Sequence, residues 1–247
     1  YVGSVMAVEC ANAIEDDYAV IGIDLPDKNT FWKIQSINDG DFPLIAEDPK
    51  IEQFYRNALH KGNLYATCDE YVYSLADVII VDVGLDVQIK KSSTNDILEY
   101  DVSLSNFKNA IKSIANKCKE DLIILVETTV PPGTTKKIVN RIIKSGLKKR
   151  GLSNQSFKLG HSSERVMPGE NYIDSIQNFY RVYSGIDEKS ANAIEYFLKT
   201  IISTDKYPLT RLSSTNASEI SKVLENSYRA VNIAFIEEWS RFAEESG

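Results

Sequence analysis

The sequence predicts an α/β fold in which a mostly parallel, doubly wound sheet is followed by one long helix. Four apolar, β-branched runs have the composition of buried parallel strands, and they lie at 18–24, 76–83, 121–128 and 179–185. Four amphipathic helical patterns alternate with them, at 31–39, 51–62, 104–119 and 189–201. This alternation is typical of a sheet that carries helices on both faces.

Composition limits the classes of function that are open to the chain. Its 247 residues, 43% of them hydrophobic, suffice for one large core or two smaller ones. The net charge of −7 argues against a nucleic-acid partner or an anionic membrane, because both require a clustered basic face. No apolar run approaches the length of a membrane span. Three scattered cysteines indicate reduced thiols in a cytoplasmic protein, and the presence of only two histidines argues against a His-rich metal site.

The last stretch of the chain predicts a single long helix. It contains no proline and no glycine before Gly247, and Asn216 with Glu219 forms a plausible N-terminal cap. A helix of about 30 residues would span about 45 Å, which is long for a helix that flanks a sheet. We therefore predict an α/β domain over 1–212 and a helix over 213–247 that opens a second, helical unit.

The first 24 residues have the spacing of half a dinucleotide-binding fingerprint. Gly3 precedes an apolar helical pattern, and a predicted strand then ends at Asp24. In a Rossmann-type fold the helix N-terminus holds the diphosphate, and an acid about 20 residues on accepts the ribose hydroxyls. The first strand and the first two glycines of that fingerprint are absent from this sequence. Asp24 favours NAD over NADP, because a 2′-phosphate would meet a like charge.

The stretch ETTVPPGTT at 127–135 predicts a shaped corner at a ligand crevice. It follows the apolar run DLIILV, and the carboxyl end of a strand in a doubly wound sheet faces that crevice. Two prolines stiffen the turn, and Gly133 permits close backbone approach. We expect Thr129 to present its hydroxyl into the crevice, while the two threonines after Gly133 cap the helix that follows.

Five stretches of the sequence, in order, match the motifs of a known family: YVG (1–3), ADVIIVDV (76–83), ETTVPPGTT (127–135), SSERVMPGE (162–170) and ASEISKVLENSYRAVNIAFIEE (217–238). Through them the chain resembles the UDP-glucose/GDP-mannose dehydrogenase family, the nucleotide-sugar 6-dehydrogenases, over essentially its whole length.

The resemblance implies an NAD-dependent enzyme that oxidises the C6 alcohol of a UDP-sugar twice, to a uronic acid. The family reaction passes through a thiohemiacetal and a thioester on a cysteine. That cysteine lies downstream of the central helix, and Cys10, Cys68 and Cys118 do not match it. We therefore expect the nucleophile beyond this chain and no turnover by the chain alone. The resemblance further implies a homodimer through the helix 216–247 and a UDP-binding domain that this chain does not contain.

The resemblance also assigns cofactor contacts and catalytic roles to residues of this sequence. Cofactor contacts are implied for Tyr1, Val2, Gly3, Asp24, Val83 and Thr129. Thr129 would also orient a water or the substrate oxygen near the nicotinamide, and Glu164 would act on water as a base in the hydrolysis. Lys222 and Asn226 share one helix face and would stabilise the developing oxyanion.

Substrate contacts are implied for Glu164, Arg165, Val166, Lys222 and Asn226. Many UDP-glucose members carry a second Glu four positions after Glu164, where this sequence has Pro168. That departure favours the members that act on N-acetylated amino sugars.

Other interpretations stay open at this stage. Glu164 beside Arg165 also fits a surface ion pair, and Lys222 fits a solvated helix stripe. Related hydroxyacid dehydrogenases pair a dinucleotide domain with a similar long helix, use no cysteine and oxidise only once. A domain that senses NAD without any chemistry is the third alternative.

Overall fold

The computed structural model describes residues 2–44, 47–94, 97–164 and 169–247. Eight α-helices are seen in this part of the chain: α1 (Val2–Ala11), α2 (Phe31–Asp39), α3 (Pro49–Lys61), α4 (Ser105–Lys117), α5 (Asn140–Lys149), α6 (Tyr172–Gln177), α7 (Glu188–Ile201) and α8 (Thr215–Ser246). A 3-10 helix covers Glu70–Ser74, and a π-helical turn, Thr135–Val139, leads directly into α5.

Nine strands accompany these helices: β1 (Val20–Ile23), β2 (Leu64–Thr67), β3 (Val78–Val81), β4 (Asp86–Lys91), β5 (Ile97–Ser103), β6 (Ile123–Val126), β7 (Lys158–His161), β8 (Val182–Gly185) and β9 (Thr210–Arg211). The central sheet has the order β3-β6-β7-β8-β9, with β3, β6 and β7 parallel and β8 antiparallel to β7. Strands β1 and β2 form a separate parallel pair, and β4 and β5 an antiparallel hairpin. The predicted α/β class is confirmed.

The central sheet is covered on both faces, as a doubly wound fold requires. Ile124 of β6 packs in a cluster with apolar side chains of α4 and α5, such as Ile111 and Ile143. Its neighbour Leu125 packs on the other face with side chains of α1 and α7, such as Met6. Successive residues of one strand thus pack into different cores. Residues on both faces of such a strand are therefore apolar, and the strand forms a continuous apolar run in the sequence.

The N-cap of helix α8 lies two residues before the predicted one. Ser214 is the N-cap, and its hydroxyl accepts a hydrogen bond from the N–H of Ala217 at 3.2 Å. The predicted cap of Asn216 and Glu219 is therefore wrong, and Glu219 makes contacts outside its own helix. The first turns of α8 pack against the α/β unit, since Thr215, Ser218 and Glu219 are buried.

The structure also bears on membrane and metal binding. No helix in the described ranges is long and apolar enough to cross a membrane. The same residues contain no group of three or more His, Cys, Asp or Glu side chains that could hold a metal ion. The three cysteines are free thiols, and two of them, Cys10 and Cys118, are buried.

Candidate functional site

The register of the central sheet aligns the ends of three neighbouring strands. Val81 of β3 pairs with Val126 of β6, which in turn pairs with His161 of β7. Thr129 and Glu164 each lie three residues beyond these pairs. Because β6 and β7 are parallel, both residues leave the sheet at its carboxyl edge, where doubly wound folds bind ligands.

Hydrogen bonds fix the corner between β6 and the helix that follows. The hydroxyl of Thr128 donates to the carbonyl of Val81 at 3.0 Å or to that of Val83 at 3.1 Å, which ties the end of β6 to the end of β3. Gly133 has a φ of +96°, a conformation that favours glycine. Thr129 lies between these fixed points and is partly exposed. The corner therefore holds Thr129 on rigid backbone.

Helix α8 connects to this corner through a buried carboxylate. Glu219 accepts hydrogen bonds from the backbone N–H of Gly133 at 2.5 Å and from that of Thr135 at 2.7 Å. These two N–H groups lie at the start of the helical segment that continues into α5, that of Gly133 just before it and that of Thr135 within it. A carboxylate at that end of a helix satisfies unpaired donors and interacts favourably with the helix dipole.

The same face of α8 bonds to the ends of β7 and β8. The hydroxyl of Ser218 lies 2.9 Å from Nδ1 of His161 and 2.6 Å from the hydroxyl of Ser184. All three side chains are buried. Burial, followed by the charge of Lys222, lowers the pKa of His161 to about 4, although a backbone hydrogen bond to Thr128 acts in the opposite direction. The imidazole is therefore neutral at pH 7.

The structure brings Lys222 and Glu164 together. Nζ of Lys222 donates to the backbone carbonyl of Glu164 at 3.0 Å and lies 3.6 Å from its carboxylate oxygen Oε1. The two side chains are only 11% and 17% exposed. Lys222 is therefore not part of a solvated helix stripe. Asn226 lies one turn further along α8, and its side chain is exposed.

The residues predicted to contact a cofactor lie at the start of α1 and after β1 and β3. Val2 and Gly3 form the first turn of α1, where backbone N–H groups have no partner within the helix. Asp24 directly follows β1 and is exposed. Val83 is partly buried beyond the end of β3. Tyr1, Arg165 and Val166 lie outside the described residues, as does Pro168.

The surroundings of Gly3 support the binding of a dinucleotide at these positions. A side-chain carbon built there would lie 3.6 Å from Cβ of Asp82. Gly3 stands at the third glycine of the fingerprint, and its contact with the residue after β3 matches the role of that glycine, the close packing of the helix on the strand.

A group of buried charges beneath this edge was not found by sequence reasoning. Nη1 of Arg181 donates to the carboxylate of Glu127 at 3.0 Å, and both side chains are at most 1% exposed. On α1, burial raises the pKa of Glu9 to about 8, although a hydrogen bond from the side chain of Gln177 acts to lower that pKa. Two features of the sequence could have indicated this group: an arginine inside the apolar run FYRVYSG and a glutamate at the end of a predicted strand.

Comparison with known proteins identifies the family of this chain. Residues 1–202 match the family described as "UDP-glucose/GDP-mannose dehydrogenase family, NAD binding domain". A UDP-N-acetyl-D-mannosamine dehydrogenase of Methanococcus vannielii is 29% identical over 252 residues, covering 100% of this chain and 50% of the relative.

Two solved structures extend the comparison. The UDP-D-ManNAc dehydrogenase of Pyrococcus horikoshii has a TM-score of 0.79 at 28% identity, covering 100% of this chain and 53% of that one. An NDP-N-acetyl-D-galactosaminuronic acid dehydrogenase of Methanosarcina mazei has a TM-score of 0.77 at 27% identity, covering 98% of this chain and 48% of that one. The chain spans about half the length of these relatives. With its NAD-binding domain matched over 1–202, the chain belongs to the UDP-glucose/GDP-mannose dehydrogenase family.

Proposed function

We propose that this chain is the NAD-binding part of a nucleotide-sugar 6-dehydrogenase, which oxidises the C6 alcohol of a UDP-sugar to a carboxylate in two steps. The observation that carries the proposal is the contact between Lys222 and Glu164. A basic and an acidic group, both largely shielded from water, meet at the carboxyl edge of a sheet whose domain binds NAD.

Lys222 suits the stabilisation of negative charge that develops on a substrate oxygen. The side chain of Lys222 is 11% exposed, and an ammonium group shielded from water interacts with an oxyanion more strongly than one in bulk water. Its hydrogen bond to the carbonyl of Glu164 restricts the position of Nζ. Asn226, exposed one turn further on, would supply an amide donor for the same oxygen.

Glu164 suits the removal of a proton from water in the hydrolytic step. Its carboxylate oxygen Oε1 lies 3.6 Å from Nζ of Lys222, at the sheet edge where a base would meet the substrate. Thr129, at the end of the neighbouring strand, would orient that water or the substrate oxygen. We propose that Arg165 and Val166 also contact the substrate.

The cofactor contacts are proposed for the first turn of α1 and for the strand ends. Bound NAD supplies the hydride acceptor for each oxidation. Val2 and Gly3 would direct backbone N–H groups at its diphosphate, together with Tyr1. Asp24 would accept the ribose hydroxyls, and Val83 would lie against the nucleotide.

We propose an N-acetylated UDP-amino sugar as the substrate. The relatives reported above carry the names of dehydrogenases of such sugars. Pro168 stands where many UDP-glucose members have a second Glu, which favours the same substrate class.

The nucleophilic cysteine is proposed to lie beyond this chain. Burial raises the pKa of the Cys10 and Cys118 thiols, so neither forms a thiolate readily. We therefore expect this chain alone to produce no uronic acid. Its three free thiols also support a cytoplasmic location.

We propose that the protein is a homodimer that pairs through α8. Exposed apolar side chains recur along this helix at spacings of four, four and three residues: Ile220, Leu224, Tyr228, Val231, Phe235, Trp239 and Phe242. A repeat of 11 residues in three turns keeps such a stripe nearly parallel to the helix axis. Phe235→Asp should therefore yield monomers by sedimentation, whereas Glu244→Lys should leave the dimer intact.

The decisive assay gives the complete protein a panel of UDP-sugars and counts the NADH formed per sugar. The proposal predicts two NADH per sugar, with an N-acetylated sugar preferred. One NADH per molecule of a hydroxyacid, with no response to UDP-sugars, would indicate the single-step class. Binding of NAD without any turnover would indicate a sensor.

A further inference from the structure

The side chain of Asp82 lies against the first turn of α1. Asp82 directly follows β3, and a side-chain carbon built on Gly3 would lie 3.6 Å from its Cβ and 3.9 Å from its Oδ2. The first turn of this helix is the part of the fold that holds a dinucleotide diphosphate. A carboxyl group therefore borders the place where two negative charges are to bind.

The surroundings of Asp82 oppose its ionisation. Within the described residues, its carboxyl group makes no hydrogen bond and no ion pair. Burial and then the neighbouring carboxylate of Glu127 on β6 hold its pKa well above the usual range, and Glu164 after β7 acts in the same direction. Arg181 on β8 acts in the opposite direction.

The other titratable groups nearby do not neutralise Asp82. Lys222 on α8 pairs with Glu164. On α1, Cys10 and Glu9 both have raised pKa values, with burial as the main cause, and so favour their uncharged forms. Arg181 is hydrogen-bonded to Glu127, whose pKa is raised by burial against the charge of Arg181. An ionised Asp82 would thus face Glu127, Glu164 and a diphosphate, whereas a neutral carboxyl group can donate a hydrogen bond to a phosphate oxygen.

We propose that Asp82 is a cofactor-contacting residue, whose neutral carboxyl group donates a hydrogen bond to the diphosphate of NAD. The ionised form of Asp82 repels the same diphosphate. Binding of NAD to the ionised form consequently takes up one proton, and the affinity falls as Asp82 loses its proton. This inference rests on the NAD-binding domain and is independent of the sugar and of the missing nucleophile.

The test is calorimetric titration of the chain with NAD from pH 6 to pH 9, for the wild type, Asp82→Asn and Asp82→Ala. The wild-type affinity should fall by about tenfold per pH unit once Asp82 ionises. Asp82→Asn keeps a donor without the charge, so its affinity should stay close to the low-pH wild-type value throughout. Asp82→Ala should be equally independent of pH but about tenfold weaker, because the donor is lost.

Two controls isolate the carboxyl group. Asp101→Asn removes an exposed carboxylate on the β4–β5 hairpin and should reproduce the wild-type pH dependence. ADP-ribose, which has the diphosphate but no nicotinamide, should show the same pH dependence as NAD. Circular dichroism checks that each variant is folded. Glu9 titrates in every variant, so the difference in pH dependence between the wild type and Asp82→Asn is due to Asp82.

Three results would overturn the inference. They are an unchanged pH dependence in Asp82→Asn, equal affinities of Asp82→Ala and Asp82→Asn, and no NAD binding by the folded wild type at any pH. None of them decides whether the complete protein oxidises UDP-sugars, which the NADH count measures separately.

Discussion

The carboxylate of Glu219 accepts a hydrogen bond from the backbone N–H of Thr135 at 2.7 Å, across 84 positions of the sequence. Through this bond, and the matching bond to Gly133, the long helix α8 is joined to the corner that holds Thr129. Three residues further along α8, Lys222 reaches Glu164. One helix face therefore both positions the corner and delivers the basic group of the proposed site.

Replacement of Glu219 by Ala should destabilise the protein by about 2 to 4 kcal/mol, because two buried N–H groups lose a charged acceptor. Urea denaturation followed by circular dichroism measures the change. Glu244→Gln, at an exposed position of the same helix, should change the free energy of unfolding by less than about 0.5 kcal/mol. Equal effects of the two substitutions would show that the bonds of Glu219 do not stabilise the fold.

The buried pair of Arg181 and Glu127 should behave as a coupled unit. Arg181→Met or Glu127→Leu alone should cost about 3 to 5 kcal/mol, because each leaves a buried charge without its partner. The double variant should cost clearly less than the sum of the two single changes. A double-mutant cycle in urea measures the coupling, and strict additivity would contradict the description of these residues as an ion pair.

Glu9 should make the folded state less stable as the pH rises. Its pKa is about 8 in the folded protein against an ordinary value of 4.5, so the unfolded chain releases the proton first. Between about pH 4.5 and pH 8 the unfolded state binds fewer protons, and Glu9 therefore lowers the free energy of unfolding by up to about 1.4 kcal/mol per pH unit. Glu9→Gln should reduce this slope, whereas Glu15→Gln, at an exposed site, should keep it. A slope unaffected by Glu9→Gln would refute the assignment.

Gly160 should not tolerate a side chain. A Cβ at this position of β7 would lie 2.1 Å from the carbonyl oxygen of Ser184 and 2.2 Å from Cδ1 of Ile194. Gly160→Ala should therefore cost at least about 3 kcal/mol, since backbone must move. Gly22→Ala in β1 is the matched control, because its nearest neighbour is 3.9 Å away. Thermal unfolding compares the two, and similar melting temperatures would exclude this close packing.

The sequence predicted the elements whose periodicity results from burial. The expected patterns are followed by helices α2, α3, α4 and α7 and by strands β3 and β6. In these elements the residues that face a core are apolar, and their spacing along the sequence is the period of the helix or strand. The hairpin of β4 and β5 was not predicted from the sequence. It stands apart from the central sheet, and Ile89 and Tyr100 are exposed, so no core imposes a pattern on its strands.

Long-range polar contacts were the other part that the sequence could not predict. Asn216 and Glu219 match a helix cap in spacing, yet Glu219 bonds to Gly133 and Thr135, because the tertiary fold brings those donors within its reach. The pairing of Lys222 with Glu164 likewise depends on the docking of α8. Motif resemblance named these two residues, but only the fold supplies their distance.

The decisive measurement is a structure of the protein with bound NAD. We predict the diphosphate on the first turn of α1 at Gly3, the adenosine ribose at Asp24, and the nicotinamide at the strand ends that carry Thr129 and Glu164, within about 4 Å of one of them. A dinucleotide bound elsewhere, or a nicotinamide remote from both Glu164 and Lys222, would contradict it.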